Sequence, residues 1–424
     1  MKKILKFLFV PLLATLARAV IRRYRPKIVM VTGSVGKTST KDAVAAVLGT
    51  RFFVRASEKS FNSEFGVPFT ILGVSNPWNN PFAWLSILKN AFALLFLPNH
   101  YPNLLVLEVG ADKKGDLARM LRIVTPDAVV ITRLPDIPVH VEAYASPEEV
   151  REEEFSPALA LAAAAPLIVP ADDPSVIERA LRIPTRVISY GTSEDALVRM
   201  SDVAFLEAEG NVVGMTAEVS MGEERATCAV RGSVGRTQMF PVAAAVATAH
   251  AFQIPLGEAV AALEGYEPPP GRGRLFAGKN GSIIIDDSYN ASPVAVEEAL
   301  ATLKAFPGAK RRIAVLGDML ELGRYSVLEH ERIGTLAGAS ADVIAAVGIR
   351  SRAFATASGR TETIRFDSSA SAASALAEEV RSGDVVLVKG SQSVRTERIV
   401  RALLANSEDA VRLVRQEKKW KNKL

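Results

Sequence analysis

The chain runs to 424 residues, enough for two or three domains with sizeable cores. At 49% apolar and 23% charged it has the composition of a globular enzyme. A net charge of +5 with no stripe of arginines and aromatics argues against a nucleic-acid binder and suits an anionic ligand or an anionic membrane surface. The lone cysteine, Cys228, excludes an internal disulfide and any cysteine-built zinc site, and agrees with a reducing, cytoplasmic setting.

The first 26 residues imitate a cleavable secretion signal, with Lys2 and Lys3, an apolar run from Ile4 to Ile21, and Ala17-Arg18-Ala19. Lys6 and Arg18 interrupt that run, Pro11 lies inside it, and Arg22, Arg23, Arg25 and Lys27 follow at once. The expectation is a short amphipathic helix, a foot on the inner face of the membrane, with a plain packing helix as the alternative. Ile28–Thr32 reads as a buried strand and Lys37–Leu48 as a helix. Residues 60–73, SFNSEFGVPFTILG, form a loop entering a helix. Residues 77–98 are a second apolar segment, with Trp78 and Trp84 near one end and Lys89 inside. This segment is expected as an interfacial helix or hairpin, or else buried against the N-terminal helix.

Strands then alternate with helices at 104–111, 127–134, 166–173 and 185–191, the α/β pattern of a mostly parallel sheet. Residues 202–231 alternate as antiparallel strands, and an alanine-rich helix spans Pro241–Phe252. YEPPPGRGR, 266–274, is the clearest linker, dense in proline and glycine. Beyond it SIIIDDSYN, RIAVLGDML, VIAAVGI and VVLVKGS mark a second α/β unit, and a basic tail, EKKWKNKL, ends the chain. The expected division is an N-terminal helix at 1–26, a central domain at 27–268 carrying the insertion 77–98, and a C-terminal domain at 269–424.

Chemistry gathers at strand ends. TGSVGKT, 32–38, follows an apolar strand and opens a helix, so its amides and the helix N-terminus can cradle phosphate. The usual first glycine would stand at position 31, which is Val31, so this is a shortened variant. Gly33, Ser34, Val35, Gly36, Lys37, Thr38 and Ser39 are the expected nucleotide-binding residues. Lys37 would hold the β/γ-phosphates and Thr38 would ligate Mg²⁺. Glu108 ends a strand whose partner carries the loop. His140 follows another strand, and the other histidines have no ligand-like neighbours in sequence. Asp287 and Asn290, then Asp318 and Glu321, then Lys389, Ser391 and Arg395 follow three strands of the second unit, which implies a site on that edge.

Together TGSVGKTSTK, FNSEFGVP, LEVGA, the ITR…HVE segment, PPGRGRL, DDSYNASP, LGDMLELG and VKGS resemble the Mur ligase family, and they run in family order from about residue 28 to 400. The resemblance implies a central P-loop-type ATPase domain, a C-terminal Rossmann-like α/β domain, and ATP-dependent amide formation in peptidoglycan precursor synthesis. ATP and Mg²⁺ are the implied cofactors. The partners implied are a uridine-linked muramoyl tripeptide and D-alanyl-D-alanine. It puts Lys37, His140, Arg274 and Glu154 in catalysis, with Arg274 near the γ-phosphate. Thr38, Glu108 and His140 fall on the metal side, and Asp287 near the ribose. Lys389, Ser391 and Arg395 fall where the last domain approaches substrate.

There are three departures from the family. Its uridine-nucleotide-holding N-terminal domain has no counterpart, and the apolar-basic leader stands there instead. That suggests a lipid-carried precursor at the membrane or a partner that supplies recognition. The family's carbamylated lysine is Glu154 in register from His140, and no lysine lies between Lys114 and Lys279. Glu154 keeps a pair of anionic oxygens on a shorter arm, acting through a water or a shifted helix, or REEE is a solvated helical face. The family's adenine-side H-N-x-x-N reads Thr237-Gln238-Met239-Phe240-Pro241, so that pocket must differ. The alternatives to the lead reading are a ligase for another wall or polyamino-acid precursor, and a nucleotide-binding scaffold without turnover.

Overall fold

A computed structural model describes residues 2–58, 62–77, 80–417 and 420. Trp78 and most of the basic tail lie outside the described residues. The chain builds two sheets. The first holds β1 (Lys27–Thr32), β2 (Val54–Ala56), β3 (Leu104–Glu108), β4 (Ala128–Ile131), β5 (Pro166–Pro170), β6 (Arg186–Gly191), β7 (Val198–Ala208), β8 (Asn211–Met221) and β9 (Glu224–Arg231). Their spatial order is β2-β3-β1-β4-β5-β6-β7-β8-β9. Pairing is parallel as far as β7, and β8 and β9 add an antiparallel extension, as the alternation in 202–231 leads one to expect.

The second sheet holds β10 (Arg274–Ala277), β11 (Ile283–Asp287), β12 (Arg311–Gly317), β13 (Val343–Val347), β14 (Glu362–Phe366) and β15 (Asp384–Lys389). Its order is β10-β11-β15-β12-β13-β14, and only β10 runs antiparallel. Every residue of β3, β4, β13 and β15 is buried, the continuous apolar run of strands covered on both faces.

The period-2 geometry of β1 divides its side chains between two cores. Val29 and Val31 join α2 (Lys37–Leu48) and the helix Phe240–Ala251 on one face. Ile28 and Met30 join α1 (Lys2–Tyr24), α3 (Gly66–Leu72) and α4 (Pro81–Phe96) on the other.

This second core matches the packing alternative for both apolar segments on their inward faces. The N-terminal helix has 23 residues and is not short. Leu13, Leu16, Ala17 and Val20 are buried at the i, i+3, i+4, i+7 spacing of a core-facing stripe. Ile87, Ala91 and Leu94 do the same for α4. Each fully buried Leu, Ile or Val contributes about 1.5–3 kcal/mol, so each helix has one face committed to the protein. The reason is steric economy: Ile28, Met30, Leu105 and Leu107 would otherwise leave that face of the sheet bare. Among the described residues no helix is long and apolar enough to cross a membrane.

Candidate active site

The carboxyl ends of both sheets face one cleft of about 940 Å³. On the first sheet β1 runs unbroken through Val31 to Thr32, so the phosphate loop begins at Gly33. Gly33 takes a φ of 123°, and a Cβ there would stand 2.2 Å from Thr132 Oγ1. Only glycine fits that approach. Gly36, at φ 88°, starts α2. The Ser34 N–H donates to the Arg133 carbonyl at 3.0 Å, tying the loop to the end of β4. The Lys37 ammonium donates to the Gly33 carbonyl and lies 3.7 Å from Glu154 Oε1.

Two buried carboxylates flank this loop. Glu108 pairs in register with Val31 and is 1% exposed. Its Oε2 has no hydrogen-bond partner among the described residues. Burial pushes its carboxyl above the usual range, against Lys37, Lys41, Arg272 and a hydrogen bond with Thr38. Glu154 lies on the helix Pro147–Phe155, which Ser146 caps. Its Oε2 accepts from Thr32 Oγ1 at 2.9 Å and from the Gly33 N–H at 3.1 Å. The solvated-face alternative for REEE is therefore overturned. Helix phase turns Val150 and Glu154 inward, four residues apart, and Glu154 meets the loop directly. Its neighbour Glu153 accepts the Gly115 and Leu117 N–H groups instead.

His140, at φ 66°, reaches across the cleft. Its Nδ1 lies 2.8 Å from Glu321 Oε2 and its Nε2 3.8 Å from Asp112 Oδ1. Burial works against the charged ring, but Glu321 and Asp112 together hold it above the usual histidine range. Sequence reading saw Glu321 without pairing it to His140.

The facing wall comes from the second sheet. β11 ends in Asp287 and β15 in Lys389, whose ammonium donates to Asp287 at 2.5 Å and to the Asn290 carbonyl at 3.1 Å. Burial pushes Asp287 up even so. Ser391 Oγ accepts the Leu320 N–H at 2.9 Å. Arg395 donates to Glu397, which also takes Arg415.

Every residue chosen from sequence lines the cleft except Gly33, Arg274 and Asp318, which turns to accept the Ser351 N–H. Arg274 is a correction. It opens β10, is 7% exposed, pairs with Glu267 and does not line the cleft. Arg272 stands in the cleft in its place and donates to Thr38 Oγ1 at 3.2 Å. The cause is backbone: Gly271 and Gly273 both have positive φ, 71° and 66°, and turn the chain so that the two arginines part. Both lie in the same GRGR stretch, so the motif signalled an arginine without saying which. On the nucleotide side Thr237, Gln238, Phe240 and Pro241 line the cleft, and Arg236 donates to Thr192.

Comparison with known proteins agrees with this arrangement. Residues 31–249 match the family model described as Mur ligase middle domain, and residues 271–392 match Mur ligase, glutamate ligase domain. The chain is 28% identical over 407 residues to the UDP-N-acetylmuramoyl-tripeptide–D-alanyl-D-alanine ligase of Bacillus subtilis, covering 92% of this chain and 79% of that one. It is 30% identical to the ligase of the same name from Mycobacterium bovis, covering 89% and 73%. The crystal structure of MurF ligase from Thermotoga maritima in complex with ADP superposes with a TM-score of 0.77 at 25% identity, covering 95% of this chain and 84% of that chain. With both domain models matched in order and the phosphate loop facing the second sheet's polar strand ends, the chain belongs to the Mur ligase family and is an ATP-dependent ligase that joins a carboxylate to an amine.

Proposed function

We propose that this enzyme joins D-alanyl-D-alanine to the terminal carboxylate of a muramoyl tripeptide in the cytoplasm, using ATP and Mg²⁺. Residues 27–268 act as the ATP-binding unit and 269–424 as the unit that closes over it. The observation that carries the reading is the unpaired Glu108 Oε2 beside Thr38 and Lys37, at the end of the strand next to the phosphate loop. The printed names of the relatives support the choice of substrates.

The donor set fits magnesium. A carboxylate oxygen and a hydroxyl are hard ligands, and Mg²⁺ commonly takes one or two carboxylates with phosphates and waters. Among the described residues no three acidic, histidine or cysteine side chains converge as a self-contained cage, and such a site needs none. Thr38 and Glu108 would hold the ion, which when bound neutralises phosphate charge. His140, held by Glu321, would lie beside it.

In the first step a carboxylate oxygen of the tripeptide attacks the γ-phosphorus of ATP. The bond to the ADP oxygen breaks, and an acyl phosphate forms. In the second step the amine of the dipeptide attacks the acyl carbon. The tetrahedral adduct expels inorganic phosphate, the amide forms, and the amine loses a proton. Lys37 and the loop amides steady the β- and γ-phosphates. Arg272 approaches the same phosphates from the second unit, and Lys389 positions Asp287 and Asn290 toward the nucleotide. Glu154 holds the loop through Thr32 and Gly33.

The test is phosphate release from ATP by the full-length chain with uridine-linked muramoyl tripeptide and D-alanyl-D-alanine, with the product examined by mass. The expected result is Mg²⁺-dependent release and a product heavier by one dipeptide residue. Release without that mass gain would overturn the choice of amine. No turnover with the soluble precursor would overturn the choice of carrier and point to a lipid-linked substrate or a recognition partner.

A further inference from the structure

The outward face of α4 is built for something other than water. α1 and α4 lie side by side and run the same way. Phe9 meets Trp84 at one end, with ring centroids 4.6 Å apart, and the Tyr24 hydroxyl donates to the Leu94 carbonyl near the other at 2.8 Å. A helix that packs through Ile87, Ala91 and Leu94 should turn polar residues outward. Instead Leu85, Phe92, Phe96 and Leu97 are 63%, 52%, 72% and 58% exposed. Positions 85, 89, 92 and 96 follow the helical repeat, so they form one stripe along the helix, with Lys89 its only charge. Leu12, on α1, is exposed as well.

The charge around this stripe is one-sided. No aspartate or glutamate occurs in residues 1–41 or 65–107, the stretches that supply α1, α3 and α4. Arg22, Arg23 and Arg25 are exposed at the end of α1, the end where α4 presents Phe96 and Leu97. An apolar stripe on helices that carry cations and no carboxylate of their own matches an anionic lipid surface, in which aromatic and leucine side chains sink below the headgroups and the cations meet phosphate. Lys89 can lay its stem along the apolar stripe and raise its ammonium to the headgroups. A second copy of the chain is a poor match, because it would set the cations of these helices against their own copies. Spanning is not the mode either, since none of the described helices is long and apolar enough.

We propose that the exposed face of α4, with the arginines at the end of α1, docks the enzyme on the surface of an anionic phospholipid bilayer. The proposal goes beyond the ligase reading and does not depend on which precursor is joined.

The experiment is sedimentation of the full-length chain with vesicles of phosphatidylcholine alone, and with vesicles in which about a third of the lipid is phosphatidylglycerol. The expected result is partitioning at least about tenfold stronger onto the anionic vesicles, weakening as salt is raised. The double variant Phe92→Ser/Phe96→Ser should lose about tenfold or more of that partitioning. Both side chains are solvent-facing, so its thermal unfolding and ATP-dependent phosphate release should match those of the parent. Arg22→Glu/Arg23→Glu should erase the preference for anionic lipid. Equal or no binding to the two vesicle types, or binding indifferent to the serine variant, overturns the proposal. A dimer in light scattering that the serine variant dissolves would overturn it in favour of self-association. Binding is read without substrate, so its failure is distinct from failure of the ligase reading.

Discussion

On the phosphate-loop wall of the cleft, Glu108 is buried with one oxygen unpartnered among the described residues. On the facing wall, Lys389 is also buried and is paired with the Asp287 carboxylate and the Asn290 carbonyl, while Arg395 is held by Glu397. A buried polar atom without a partner costs about 1–3 kcal/mol unless something binds it, and this one stands beside the phosphate loop, where a ligand can reach it. A buried ion pair that satisfies itself holds the wall in shape. On the proposed reading the two walls contribute differently: the first supplies groups that meet phosphate, and the second supplies a preorganised frame that brings Arg272 and Asn290 to them.

The sharpest way to break this contrast is to truncate one lysine on each wall. Lys37→Ala is expected to lower kcat by about a thousandfold, the scale of losing a key phosphate or oxyanion donor, with unfolding in urea little changed. Turnover that survived it would remove the loop wall from the chemistry. Lys389→Met strands the Asp287 carboxylate in a buried site and is expected to cost about 3 kcal/mol of stability in urea unfolding. Adding Asp287→Asn should recover most of that loss. If the double variant is no more stable than the single one, the frame does not rest on this pair. The smaller contrast is between two arginines. Arg272→Ala should lower kcat by about a hundredfold. Arg274→Ala should chiefly cost about 1 kcal/mol of stability, because its partner Glu267 is mostly exposed.

How much of this could be read in advance follows from how local each feature is. The helix expected at Lys37–Leu48 is found with those ends, because a glycine turn, an invading lysine and a helix start are one local device. The antiparallel extension was legible from alternation alone. Glu154 was half legible. Its register from His140 pointed to it, but a run of glutamates looks solvated until helix phase and the neighbouring loop show which one turns in. The arginine at the cleft was misjudged by two positions, since the choice rests on backbone angles at Gly271 and Gly273 that side-chain spacing does not reveal. The apolar segments were the hardest. A largely apolar helix has one composition whichever way it faces, and α4 buries one side against the protein and leaves an apolar side exposed.

The last contrast lies behind the second wall. Asp286 is fully buried next to Asp287, and its Oδ1 accepts the Ser288 N–H at 3.1 Å and the Ser288 hydroxyl at 2.5 Å. Its Oδ2 has no partner among the described residues, and burial lifts the carboxyl from the ordinary 3.8 to about 6. An aspartate raised in this way acts opposite to a salt-bridged one. Below the ordinary value it is protonated in both states and its burial is inexpensive. Between about 4 and about 6 the unfolded chain has released a proton that the folded chain keeps, so stability falls as pH rises through that window and levels off above it. The full rise corresponds to about 3 kcal/mol, an upper figure because the site can relax. Asp286→Asn keeps an oxygen for the Ser288 donors and removes the ionisation. It should gain about 1–3 kcal/mol over the parent in urea unfolding at pH 8, and that gain should shrink as pH falls toward 4. Parallel stability curves for parent and variant across this range would mean that Asp286 ionises freely in the folded chain and that the frame behind Asp287 is wetter than its burial implies.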